Sequence, residues 1–170
     1  MMAFINDGTT VISFAEYQDV LNRDSRLFGT NESLSEDVVE PQLIRATERI
    51  LTKLRASEWW QSYYVKQNDS AAISTVADIP ALDPERIKAR ENDFTDLCVY
   101  TALGEFILPS IADFGTEDNA ERQKMGYYVT KADSLFAELI TAGDWYDFDG
   151  TGTITSAEKS PGQFNLKRVR

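Results

Sequence analysis

The spacing of apolar residues between positions 35 and 56 constrains this chain most. Val39, Leu43, Ala46, Ile50 and Leu54 recur at intervals of three and four, with Arg45, Glu48, Arg49 and Lys53 between them. That pattern lays one apolar stripe along an α-helix and fits no single face of a strand. Pro41 stands near the start, where its missing amide matters least. A second stripe runs from about Glu117 to Thr141 through Met125, Tyr128, Val129, Ala132, Leu135, Phe136, Leu139 and Ile140, with Gly143 as its C-cap. A third opens at Asp83-Pro84, an N-cap followed by proline. It carries Ile87, Phe94, Leu97, Cys98, Thr101, Ala102, Glu105 and Phe106, and Pro109 closes it. Ser57 caps a shorter helix from Glu58 to Gln67. An early helix with Tyr17, Val20 and Leu21 begins at a Ser13–Glu16 capping box, and Gly29 ends the turn after it. Residues 4–12, FINDGTTVI, set an Asp-Gly turn between two apolar pieces. The prediction is an all-α helical bundle of about four main helices, with a short N-terminal arm or hairpin and an extended C-terminal tail. Residues 1–143 form the bundle, and residues 144–170 form a loop and docking tail.

Composition limits what such a bundle can do. At 170 residues the chain fits one domain with a real core. No run of about 18 apolar residues is present, so no membrane span is expected, and MMAFINDGTT has neither the basic nor the apolar part of a secretory signal. The single cysteine, Cys98, reads as a buried structural thiol. Net charge is −11, with no histidine and with three of the cations in the last four residues. A body this acidic repels free nucleic acid. The missing histidines remove the commonest general base and transition-metal ligand. No nucleotide-binding glycine loop, nucleophile elbow or paired-cysteine zinc site is found, so an enzyme is not expected.

The stretch DFDGTGTITSAE has the spacing of an EF-hand calcium loop. Asp147 falls at position 1, Asp149 at 3, Thr151 at 5, Gly152 at the sharp turn, Thr153 at 7, Thr155 at 9 and Glu158 at 12. A hard cation needs six to eight oxygens converging from a turn of this kind. The six candidate ligands for calcium (Ca2+) are Asp147, Asp149, Thr151, Thr153, Thr155 and Glu158. Pro161-Gly162 then denies the loop a long exiting helix, unlike a calcium sensor, which swings two helices apart. Phe164, Leu166, Lys167, Arg168 and Arg170 follow as an extended docking segment. Four large aromatics, Trp59, Trp60, Tyr63 and Tyr64, crowd six residues. They read as aromatic core, with one pair, either Trp59 and Tyr63 or Trp60 and Tyr64, left over as a subunit contact.

In the order of its pieces the chain resembles the head–tail connector proteins of tailed bacteriophages, also called adaptors or head-completion proteins. The resemblance rests on SFAEYQDVLNRD, QLIRATERILTKL, YYVTKADSLFAELI and the ending DWYDFDGTGTIT…EK…NLKRVR. It implies a structural virion protein that assembles in the host cytoplasm and sits in the virion neck. It also implies a homo-oligomeric, dodecameric ring below a portal protein and above a neck or tail protein. In that arrangement the C-terminal segment docks into the portal and DNA passes through the ring unbound. The alternative is a calcium-binding regulatory or scaffold protein using residues 147–158.

Overall fold

The computed structural model describes residues 4–6, 10–31, 33–67, 75–112, 120–156 and 158–159. Strands β1 (Ile5–Asn6) and β2 (Val11–Ser13) pair antiparallel, Ile5 opposite Ser13 and Asn6 opposite Val11. The Asp-Gly turn expected between them lies outside the described residues. Phe14 leaves the hairpin and enters the core, edge-on to Phe94 at 5.4 Å. Its backbone polar groups are both met by side chains: its N–H donates to Thr47 Oγ1 at 3.1 Å, and its carbonyl accepts from Thr95 Oγ1 at 2.8 Å.

Helices α1 (Tyr17–Arg23), α2 (Ser25–Thr30), α3 (Glu36–Ala56) and α4 (Glu58–Gln67) follow. The capping box lies three residues later than expected. Glu16 is the N-cap, and its N–H donates to Asp19 Oδ2 at 2.9 Å. Ser13 belongs to β2 and gives its hydroxyl to the Ala15 carbonyl instead. Gly29, expected to end a turn after the first helix, lies inside α2. In α3 the five stripe residues are all buried, and Ser57 caps α4 through the Trp60 N–H at 3.3 Å.

The long central helix starts later and ends later than its punctuation suggests. Asp83-Pro84 opens only the 3₁₀ turn Pro84–Arg86, with Asp83 Oδ1 accepting from the Glu85 N–H. Ile87 and its neighbours stay extended because they pair with residues 145–147 near the end of the chain: Lys88 N–H bonds Trp145 O and Asp147 N–H bonds Arg86 O, both at 2.9 Å. Helix α5 (Glu91–Thr101) begins after Arg90, which takes a left-handed φ of 59°. It runs on through a π-helical stretch, Ala102–Ile107, into α6 (Leu108–Ile111), so Pro109 lies within the helix. The wider π turns relieve the demand for a Pro109 N–H and the clash of its ring with the carbonyl four residues back. This continuous helix, Glu91–Ile111, is long and apolar enough to cross a membrane by length and composition, although no 18-residue apolar run exists. Most of it is buried inside the bundle.

Helix α7 (Ala120–Ala142) packs along this central helix, and α3 packs on its α5 and π-helical parts as well. At the α7 crossing, a Cβ on Gly104 would meet Val129 Cγ2 at 2.9 Å and Val129 N at 3.0 Å, so only glycine permits the approach. Cys98 is buried between Thr47 Oγ1 and the Leu43 carbonyl, and burial pushes its thiol up to about 11. The result is an all-α bundle with one core.

Candidate functional site

The site begins where α7 ends. Gly143, at φ 56°, donates its N–H to the Leu139 carbonyl at 3.0 Å and caps the helix as expected. Asp144 then takes both prongs of the Arg90 guanidinium, Nε to Oδ1 at 2.6 Å and Nη2 to Oδ2 at 3.1 Å. Trp145, Tyr146 and Phe148 turn into the core against α4. Trp59 stacks on Trp145 at 4.5 Å, Trp60 on Phe148 at 5.5 Å, and Tyr63 on Phe148 at 3.8 Å. Trp145, Tyr146 and Phe148 thus belong to the same core as the helices.

This packing bears out the aromatic core and corrects the expectation of an exposed pair. Trp59 and Trp60 are both buried in their own chain, and Tyr63 and Tyr64 are half-buried. The predicted split, Trp59 with Tyr63 and Trp60 with Tyr64, is not what forms. The two tryptophans cannot be exposed subunit contacts. Four large rings find room because the WYDF segment wraps α4 and adds three more rings to the same cluster.

The carboxylate loop sits on this aromatic shelf. Arg86 Nη1 donates to the Phe148 carbonyl at 2.9 Å, and its guanidinium lies against Gly150, at φ 73°. Gly152, at φ 84°, makes the second turn. Asp147, 1 % exposed, accepts from the N–H groups of Gly150 and Thr151 through Oδ1 and of Gly152 through Oδ2. Glu158 accepts from Asp149 N–H through Oε1, and from both Thr155 N–H and Thr155 Oγ1 through Oε2. Burial alone raises the Asp147 carboxyl, but the Gly152 N–H, the Asp149 side chain and the N–H groups of Gly150 and Thr151 together outweigh it and hold it below the ordinary range. Glu158 behaves alike: burial raises it, and the Thr155 and Asp149 donors bring it below.

One oxygen from each of Asp147, Asp149 and Glu158 lies within 4.8 Å of the others. Thr151 Oγ1 donates to the Thr153 carbonyl at 3.2 Å. The donor chemistry fits a hard cation, since Asp147 Oδ2 and Glu158 Oε1 each accept one hydrogen bond and keep a lone pair, and Thr151 and Thr153 add neutral oxygens. Of the six candidate ligands, three carboxylates converge. Thr151 and Thr153 bond each other, and the Thr155 hydroxyl serves Glu158. Phe164, Leu166, Lys167, Arg168 and Arg170 lie outside the described residues. The sequence reading missed Arg86 and Arg90, which tie the loop to the bundle across long separations that leave no local signal. No family model matches this chain, and no curated protein or solved structure matches it.

Proposed function

We propose that the chain is a structural virion subunit of the head–tail adaptor kind. It forms a homo-oligomeric ring, docks under a portal protein through residues 163–170, and meets a neck or tail protein on the other side. DNA passes the acidic ring without adhering, because like charge opposes contact. The observation that carries this reading is the anchored exit from the bundle. After α7, the rings of Trp145, Tyr146 and Phe148 and the guanidinium of Arg86 fix the chain up to Glu158. The strongly basic LKRVR then follows on an acidic body. Cosedimentation with the cognate portal ring tests it. Full-length chain is expected to bind, and chain lacking residues 163–170 is expected to fold and not bind. Equal binding by both, or none by the full chain, overturns the proposal.

The convergence of three carboxylates favours a second reading, a calcium-binding scaffold protein. Here the cation would brace the loop rather than switch it, since the sequence Pro161-Gly162 disfavours a long exiting helix of the kind a sensor swings. Calorimetric titration with calcium separates the two. Heat that disappears in Asp147→Ala/Glu158→Ala supports the site, and absence of heat at millimolar calcium removes it.

A further inference from the structure

We draw no further inference here: the strongest candidate, the polar cleft between α1 and α5 lined by Asp19, Asn22, Arg23, Asn92, Thr95 and Asp96, carries none, because Asp19 caps α1, Arg23 pairs with Asp96 and Thr95 holds the Phe14 carbonyl, and nothing in the structure shows what would occupy it.

Discussion

Arg90 and Asp144, 54 residues apart, form a two-pronged ion pair that holds the start of α5 to the end of α7. Arg90 makes this pair from a left-handed backbone, a conformation that costs a non-glycine residue roughly 1 kcal/mol or more. Both side chains are more than a third exposed, so solvent screening limits the pair to about 1 kcal/mol or less.

The balance between strain and pairing is testable at that one position. Arg90→Ala keeps the strained φ and loses the pair, while Arg90→Gly loses the pair and relieves the strain. Denaturant unfolding is expected to rank wild type and Arg90→Gly close together, with Arg90→Ala about 1 kcal/mol below. An alanine variant as stable as the glycine one would remove the strain from the account.

Acid should loosen the loop before the bundle. Asp147 and Glu158 have folded values below their ordinary 3.8 and 4.5. Their contribution is therefore full above the unfolded values and disappears as pH falls through the lower folded ones. Emission from Trp59 and Trp145, next to the loop, is expected to change below about pH 4. The change should be blunted in Asp147→Asn/Glu158→Gln. A wild-type transition near neutrality would contradict this.

Gly104→Ala should be costly although alanine is the better helix former. Its Cβ would fall 3.0 Å from the Val129 backbone nitrogen, which cannot yield without moving α7. A loss of about 1–3 kcal/mol in thermal or denaturant unfolding is expected. Gly104→Ala/Val129→Ala should recover little, because the backbone contact remains.

The two adjacent tryptophans should respond differently to phenylalanine. Trp60 Nε1 donates to the Pro80 carbonyl at 3.0 Å, whereas Trp59 Nε1 is buried with no partner among the described residues. Trp60→Phe leaves a carbonyl short of its donor, at about 1–3 kcal/mol, while Trp59→Phe removes an unsatisfied group and offsets part of its lost area. Equal losses in calorimetric unfolding would refute this.

Helical periodicity made α3 and α7 legible because burial follows one face of each, with Val129 of the α7 stripe the exception at 37 % exposed. The central helix was legible in its middle and not at its ends. Asp83-Pro84 and Pro109 are local signals, and both were overridden: the first by pairing of residues 86–88 with 145–147, the second by a π stretch that sequence spacing does not report. The loop's turns were readable from Gly150, Gly152 and the carboxylate spacing. Its attachment was not, since Arg86 and the rings of α4 reach it from far along the chain.

The bridge between residues 86–88 and 145–147 also sets the order in which the fold would bear a load. Tension applied beyond Lys159 reaches the Asp147 and Trp145 backbone before it reaches α7. There it is shared with the 83–90 segment through two backbone hydrogen bonds, the Arg86–Phe148 bond and the Arg90–Asp144 pair, and with α4 through stacked rings. Pulling on the C-terminal side thus strains the side of the bundle built from α4 and the entry to α5, and leaves the α5–α7 crossing to yield last.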